Sequence, residues 1–359
     1  MPLVLKVVKL NKKIKVLIVC SLDGYANSVR PREIEKFLKK NNYDVKLLNT
    51  FNGNKNIIKS NIKNIIKRFI PKIIKSRKLI FDVVNKAKKL EKQILIEKPD
   101  VVICESGMDS YVLTKNLNCL KILDAASPWI DELYYGGMIL KKHFEILRKI
   151  ELEIYKKSDY LTFHWENYTK YVKKNIYDGK NIFIMNWGCI PKSKKAKYSH
   201  PPKIIFMGYL KGYWNNLPLL SKLSKKYDID VYGGPIPDSS LGLNYKGYAP
   251  STDILSEYQF GLITITKDEL RKSSFSSKHL EYMSYGLPVL TPNWRQDDLL
   301  EEFSIKYDED NFISQIEKYS SPKNWKMMSD KCYKQSKKWK WENQLKPLLK
   351  ILNKHFLKK

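Results

Sequence analysis

Residues 276–290 read Ser-Ser-Lys-His-Leu-Glu-Tyr-Met-Ser-Tyr-Gly-Leu-Pro-Val-Leu, and this stretch decides the fold. A serine at its start, Ser276 or Ser277, can cap a helix because its side chain accepts a bond from a free backbone amide. Gly286 can close the helix, since glycine tolerates the left-handed turn that often follows a helix. The residues from Pro288 onward are apolar and begin a buried strand. The stretch therefore predicts a helix that leads directly into a buried strand.

The first turn of this helix has the chemistry of an anion site. A helix N-terminus offers free amides and a positive dipole end, which suit a phosphate group. Lys278 adds a full positive charge, which works against the dipole unless an anion is bound. Glu281 lies one turn further on the same face, where its carboxylate can accept hydrogen bonds from a sugar diol such as ribose. The alternative interpretation is a well-capped core helix in which Lys278 and Glu281 are incidental.

Short apolar runs alternate with helical patterns on both sides of this stretch. The strands are predicted at 15–21, 45–48, 101–104, 121–123, 160–163 and 182–185, and then at 203–207, 229–232, 245–248 and 261–266. Such alternation is typical of parallel sheets covered by helices on both faces. The fold class is α/β, with two Rossmann-like doubly wound domains that we expect to face each other across a cleft.

A polar stretch rich in Lys, Ser and Pro interrupts this alternation and marks a domain boundary. We place the N-terminal domain at 1–190, the linker at 191–202 and the C-terminal domain at 203–340. We expect the remaining residues, 341–359, to form a C-terminal helix that packs back on the N-terminal domain.

The composition of the 359 residues excludes several classes of protein. At 43% hydrophobic residues the chain is not disordered or fibrous. No apolar run approaches the roughly 18 residues of a membrane-spanning helix, and the first run is too short for a signal peptide. The 5 cysteines are scattered and never in CxxC spacing, which argues against a zinc site and for reduced thiols. We expect a cytoplasmic protein that needs no metal or other cofactor.

The net charge of +29 attracts polyanions, whether nucleic acid, anionic lipid headgroups or nucleotide phosphates. Genome composition is the alternative source, because AT-rich codons place lysine on any solvated surface. The charge is concentrated locally at 55–92, where basic residues far outnumber the two acids, Asp82 and Glu91. Apolar residues at helical spacing accompany them, so this segment predicts a basic amphipathic helix. It either touches an anionic membrane peripherally or packs its apolar face on the core.

The pattern Lys-x-x-Glu-Tyr-Met-x-x-Gly-x-Pro-Val, which begins at Lys278, resembles the donor-site motif of the GT-B glycosyltransferases. The resemblance covers the whole chain in architecture, and the second half matches better. It implies that Ser276, Ser277 and Lys278 contact the diphosphate of a nucleotide-sugar and that Glu281 binds the ribose. It also implies that Gly208 and Tyr209 line the pyrophosphate side and that Tyr248 lies near the base. Eight positions before Glu281 stands Ser273, where retaining families carry a second acid. This departure favours inversion of the anomeric configuration.

The resemblance also implies a catalytic base where a strand of the N-terminal domain ends at the cleft. Asp124 is the first candidate, Asp131 is the second, and His164 follows the next strand. A carboxylate there can accept the proton of the acceptor hydroxyl as the anomeric carbon is attacked. We expect Asp23, Gly24 and Asn27, after the first strand, to line the acceptor pocket.

The resemblance implies a hexosyltransferase that moves a sugar from a nucleotide-sugar to a hydroxyl of a glycan or lipid-linked acceptor. Such a reaction belongs to the synthesis of cell-surface polysaccharide or glycoconjugates. A sugar-nucleotide epimerase of the same fold would share the donor site and need no acceptor. A nucleic-acid-binding protein would suit the charge, but no helix-turn-helix, zinc-finger or RNP-type pattern is present. The absence of a P-loop and of GxGxxG after the first strand disfavours an ATPase or a dehydrogenase.

Overall fold

The computed structural model describes residues 13–22, 28–50, 72–211, 214–274, 276–295 and 301–356. It divides the chain into two compact units. The first unit combines Met1–Asn186 with Leu345–Lys359, and the second is the continuous segment Trp187–Gln344.

The first unit is built on a parallel sheet of six strands in the order β2-β1-β3-β4-β5-β6. Its strands are β1 Lys15–Cys20, β2 Asp44–Asn49, β3 Val101–Glu105, β4 Leu120–Ala125, β5 Tyr160–Phe163 and β6 Ile182–Ile184. Its first helices are α1 Val29–Lys40, α2 Lys72–Glu97, α3 Trp129–Tyr135, α4 Lys141–Lys157 and α5 Glu166–Asn175, with a 3-10 helix at Met108–Thr114. The central strands are mostly apolar and buried because helices cover both faces of a parallel sheet.

The second unit repeats this plan with six parallel strands in the order β12-β11-β10-β7-β8-β9. The strands are β7 Ile204–Tyr209, β8 Ile229–Gly234, β9 Asn244–Tyr245, β10 Phe260–Leu262, β11 Val289–Pro292 and β12 Ser304–Tyr307. The helices are α6 Leu217–Lys226, α7 Glu269–Ser273, α8 Ser277–Ser284, α9 Phe312–Tyr319, α10 Pro322–Lys338 and α11 Trp341–Gln344, with 3-10 helices at Ser239–Leu241, Thr252–Glu257 and Glu301–Phe303. The predicted α/β fold class with two doubly wound, Rossmann-like sheets is confirmed.

The predicted linker is a packed part of the second unit. The backbone amides of Lys192 and Ala196 donate to the carbonyls of Ser284 and Tyr285, at 2.9 and 2.8 Å, at the end of α8. Ala196 lies in the apolar core of this unit. The stretch is thus attached to the second unit at these two amides, while most of its residues are exposed.

The last helix, α12 Lys346–Phe356, belongs to the first unit. Its apolar face, Leu348, Ile351 and Leu352, is fully buried. The ammonium group of Lys354 donates to Oδ1 of Asn181 at 3.1 Å and lies 5.5 Å from the ring centre of Tyr160. The first unit is therefore assembled from both ends of the chain.

Candidate donor site in the second unit

The candidate site lies at the carboxyl ends of the strands in the second sheet. The strand order reverses between β7 and β10, and open α/β sheets bind ligands at such a switch point. Tyr282 of α8 anchors the helix there, because its buried hydroxyl accepts from the backbone amide of Met207 at 3.0 Å and lies 3.4 Å from the carbonyl of Leu262. The ring lies where a side chain at position 261 would stand, since a Cβ on Gly261 would be 2.4 Å from Cδ2 of Tyr282.

Lys278 lies directly against the end of β7. A Cβ added to Gly208 would be 2.1 Å from Cε and 2.7 Å from Nζ of Lys278, so a side chain at position 208 would force the end of this lysine to move. Ser276 occupies the N-cap of α8 without a side-chain capping bond. The first turn of the helix and the lysine ammonium group therefore present positive charge at the same place.

The electrostatics of Lys278 favour an anionic ligand. The pKa of its ammonium group is lowered to about 8, chiefly by burial; Glu281 opposes this effect and Arg271 adds to it. Within the described ranges no carboxylate lies within 4.0 Å of Nζ. A half-buried ammonium ion without a close counter-ion is unfavourable alone, and it becomes favourable when a diphosphate supplies the negative charge.

Glu281 lies one turn after Lys278 and is partly buried. Burial raises the pKa of its carboxyl group, while Lys278 and Lys192 lower it. The two lysines favour the ionised carboxylate, which can accept hydrogen bonds as predicted for a ribose contact.

Two glycines and two tyrosines at the end of β8 extend the site. Gly233 has a φ of +130°, and a Cβ there would stand 1.8 Å from the carbonyl oxygen of Gly208, so a side chain is excluded. The hydroxyl of Tyr245 donates to the carbonyl of Gly233 at 2.8 Å. Tyr248, which is 64% exposed, lies over Gly234, whose added Cβ would be 1.9 Å from the tyrosine hydroxyl. Of the predicted donor residues, Lys278 therefore contacts Gly208 at the end of β7, and Tyr248 lies over Gly234 at the end of β8.

Arg271 and Trp214 were not identified from the sequence. The guanidinium carbon of Arg271 lies 6.0 Å from the ring centre of Trp214, which in turn stacks on Tyr209 at 6.3 Å. The side-chain amide of Asn215 donates a hydrogen bond to the carbonyl of Tyr209. No motif marks these residues, although Arg271 lies only two positions before Ser273, where a second acid was sought.

The candidate base Asp124, at the end of β4, forms a buried ion pair with Arg30. Its carboxylate accepts from Nε and Nη2 of Arg30 at 2.7 and 2.8 Å and from Oγ1 of Thr162 at 2.8 Å. Neither Asp124 nor Arg30 is exposed. The structure thus places Asp124 in a buried network with Arg30 and Thr162.

The second candidate, Asp131 on α3, also lies in a buried network. Its Oδ1 accepts from Arg148 at 2.6 Å and from the hydroxyl of Tyr171 at 3.2 Å, while its buried Oδ2 has no hydrogen-bond partner among the described residues. His164 is 3% exposed, with Nδ1 3.3 Å from the carbonyl of Ala125. Asp131 and His164 therefore do not share the hydrogen-bond partners of Asp124. The catalytic roles of all three stay predictions, and Asp23, Gly24 and Asn27 lie outside the described residues.

No protein-family model matches the sequence, and no curated protein matches it. Solved structures do match. A sucrose-phosphate synthase from Thermosynechococcus elongatus covers 97% of this chain and 100% of its own, with 10% identity and a TM-score of 0.70. A glycosyltransferase from Rickettsia africae covers 96% and 98%, with 13% identity and a TM-score of 0.62.

The chain has the GT-B fold. A mutant of S. aureus TarM, in complex with fondaparinux, alpha-GlcNAc-glycerol and UDP, matches 76% of the chain and 59% of its own, with 15% identity and a TM-score of 0.55. At such identities the similarity establishes the GT-B fold and not the reaction. The described part of this GT-B chain contains no helix both long enough and apolar enough to cross a membrane. Nor does that part group three or more His, Cys, Asp or Glu side chains as a metal site would require.

Proposed function

We propose that the protein transfers a sugar from a nucleotide-sugar to a hydroxyl of a glycan or lipid-linked acceptor. The observation that carries the proposal is Lys278, a partly buried cation packed on Gly208 at the N-terminus of α8. Glu281 on the next turn and the exposed ring of Tyr248 supply contacts for the nucleoside part. Solved structures of the same fold include a complex with UDP, which supports a nucleoside diphosphate as the donor group.

The acceptor, the place in cell-surface polysaccharide synthesis and a peripheral contact with an anionic membrane through 55–92 are proposals. The five free cysteines support a reducing, cytoplasmic location. We expect the reaction to proceed without a metal, and turnover in the presence of a chelator tests this directly.

Donor binding is the first experiment, with UDP and GDP as probes and thermal stabilisation as the readout. Lys278→Met removes the charge but keeps the bulk against Gly208. We expect it to weaken binding about tenfold to 150-fold, because one charge-assisted contact to a diphosphate contributes about 1.5–3 kcal/mol. Lys272→Met is the matched control, since Lys272 is exposed and paired with Glu269 at 2.6 Å. Equal affinity in Lys278→Met and wild type would contradict the proposal.

Turnover is the second experiment, with a panel of nucleotide-sugars and release of UDP or GDP as the readout. Release that depends on an added glycan or lipid-linked acceptor supports transfer. Isomerisation of the nucleotide-sugar without any acceptor would instead identify an epimerase. The anomeric proton of the product, observed by NMR, distinguishes inversion from retention.

A further inference from the structure

The switch point of the first sheet lies between β1 and β3. The chain runs from β1 to β2 on one side and then returns to β3 on the other side, so the strand order reverses at this place. Open α/β sheets bind ligands beside the carboxyl ends of the two strands at such a point. The candidate bases Asp124, Asp131 and His164 lie at or after the ends of β4 and β5 instead. Glu105, the last residue of β3, is an acid placed at the switch point itself.

Hydrogen bonds fix the main chain around Glu105. Glu105 is paired in register with Asp124 of β4. The amide of the next residue, Ser106, donates to the carbonyl of Asp124 at 2.9 Å. The hydroxyl of Ser106 donates to the carbonyl of Ser127 at 3.2 Å and accepts from the amide of Ser127 at 3.3 Å. These bonds join the loops that follow β3 and β4, so the side chain of Glu105 starts from a fixed position.

Glu105 differs from two neighbouring acids in its exposure. Asp109 and Asp124 are buried, and each forms an ion pair with a basic side chain. Glu105 and the two residues after it are only partly buried. Gly107 has a φ of +140°, and a Cβ added there would have no atom within 4 Å, so the space beside this loop is open. The end of β3 therefore has room for a ligand.

Cys20, at the end of β1, lies close to Glu105. The pKa of its thiol is raised to about 12, chiefly by burial and next by the charge of Glu105. Its carbonyl accepts from the amide and the hydroxyl of Thr50, at 2.9 and 3.2 Å. Cys20 therefore stays protonated near neutral pH and cannot accept a proton from a ligand, whereas a carboxylate can.

Three of the half-buried side chains around this point are small and polar. Ser21 follows β1, Ser106 follows β3 and Ser127 follows β4. Hydroxyl groups of this kind can exchange hydrogen bonds with a sugar, whereas an acyl chain would leave them unsatisfied. The carboxyl edge of the first sheet therefore suits the hydroxyl-rich end of an acceptor.

We infer, on the basis of the proposed sugar transfer, that a sugar hydroxyl of the acceptor binds at this switch point and that Glu105 is its general base. The hydroxyl oxygen forms a bond to the anomeric carbon of the donor, and the bond from that carbon to the diphosphate breaks. The proton of the hydroxyl passes to the carboxylate of Glu105. The nucleoside diphosphate leaves with the electron pair of the broken bond.

Turnover of Glu105→Gln is the first test, with UDP-glucose and UDP-N-acetylglucosamine as donors and methyl glycosides as acceptors. We expect UDP to bind as in the wild type and turnover to fall about a hundredfold or more, because a general base contributes about 10²–10⁴-fold. Glu105→Ala should be similarly slow and should regain part of its turnover with added formate, a small carboxylate that can occupy the vacated space. Glu166→Gln is the matched control and should keep normal turnover, since Glu166 is exposed after β5 and pairs with Lys170 at 3.0 Å.

Carbodiimide labelling of the wild type with glycine methyl ester, mapped by mass spectrometry, is the second test and needs no donor. We expect Glu105 to be modified and an excess of methyl glycoside to protect it. The buried Asp124 should stay unmodified under both conditions.

Normal turnover in Glu105→Gln overturns the inference and leaves the proposed sugar transfer intact. A loss that formate does not restore in Glu105→Ala, when circular dichroism shows a folded protein, assigns Glu105 a structural role and also overturns it. So do an equal loss in Glu166→Gln and labelling of Glu105 that the glycosides do not change. A wild-type protein that neither binds UDP nor releases it from a donor would contradict the proposed function, and the inference with it.

Discussion

Lys278 is a charge placed where the folded chain alone does not favour it. Its pKa of about 8 in the folded protein lies below the ordinary 10.5, so the protonated form is destabilised by folding. Below pH 8 the lysine is protonated in both the folded and the unfolded state, and the cost to the free energy of unfolding is complete. The cost decreases as the pH rises from about 8 to 10.5, and above 10.5 the lysine is neutral in both states. A site selected for ligand binding rather than for stability has this property.

Lys278→Met should therefore stabilise the ligand-free protein at pH 7, by about 1 to 3 kcal/mol once the partial contact with water is considered. Chemical unfolding of wild type and variant at pH 7 and at pH 10 measures the effect. The advantage of the variant should shrink at the higher pH. A variant less stable than the wild type at pH 7 would mean that Lys278 has a stabilising partner.

The same lysine makes donor binding depend on pH. UDP affinity should fall above pH 8, by up to tenfold per pH unit, because the free protein loses the proton that the complex retains. Calorimetric titration with UDP across this range gives the dependence. Lys278→Met should bind weakly at every pH, and a parallel fall in that variant would assign the effect to another group.

Asp124 can be tested as a structural residue and as a base with one variant. Asp124→Asn leaves Arg30 buried with less negative charge, and breaking such a pair costs about 3–5 kcal/mol. We expect a clear loss in the free energy of unfolding. A variant with wild-type stability, normal UDP binding and turnover reduced about a hundredfold would instead identify Asp124 as the general base.

At the scale of elements, α4 places an acid in an unfavourable position. Glu151 is buried beside Arg148 and in the field of Asp131, and burial raises the pKa of its carboxyl group to about 7. A raised folded pKa means that stability from this group is lost as the pH rises from about 4.5 to about 7.

Glu151→Gln mimics the protonated acid and should remove this dependence. Relative to the wild type, the variant should gain about 1 to 3 kcal/mol between pH 5 and pH 8. Denaturant unfolding at both pH values measures it, with Glu145→Gln, an exposed position of the same helix, as the control. Identical pH dependence in wild type and Glu151→Gln would show that Glu151 is ionised throughout.

Elements with a continuous local pattern were predictable from the sequence. The strand predicted at 160–163 is β5, and the strand predicted at 101–104 lies within β3. The predicted strand 245–248 is limited to Asn244–Tyr245, because the positive φ of +86° at Gly247 ends the extended backbone.

The proximity of Lys278 and Glu281 was predictable because both lie within one helix. Lys278 and Glu281 are three positions apart, so helical geometry alone places them together. The partners of Asp124 could not be found in this way, since Arg30 is 94 positions away and Thr162 is 38 positions away. Contacts of that separation depend on the order of strands in the sheet, which no local pattern contains.

At the scale of the whole molecule, the first unit depends on the last helix of the chain. A chain that stops after Gln344 lacks Leu348, Ile351 and Leu352, and each buried side chain of this kind contributes about 1.5–3 kcal/mol. Hydrogen exchange should show loss of protection in β1 and β3, with β7 and β11 still protected. A chain that stops after Phe356 is the matched control. Equal protection of both sheets after the longer deletion would show that α12 is dispensable.

The discontinuous first unit also sets the order in which the protein can be completed during translation. The second unit is continuous, so all of its strands and helices are synthesised before α12 begins. The six strands of the first sheet emerge earlier, yet their unit waits for the final residues to cover its apolar surface. The part made first is finished last, and during that interval its exposed surface is open to chaperones and to aggregation.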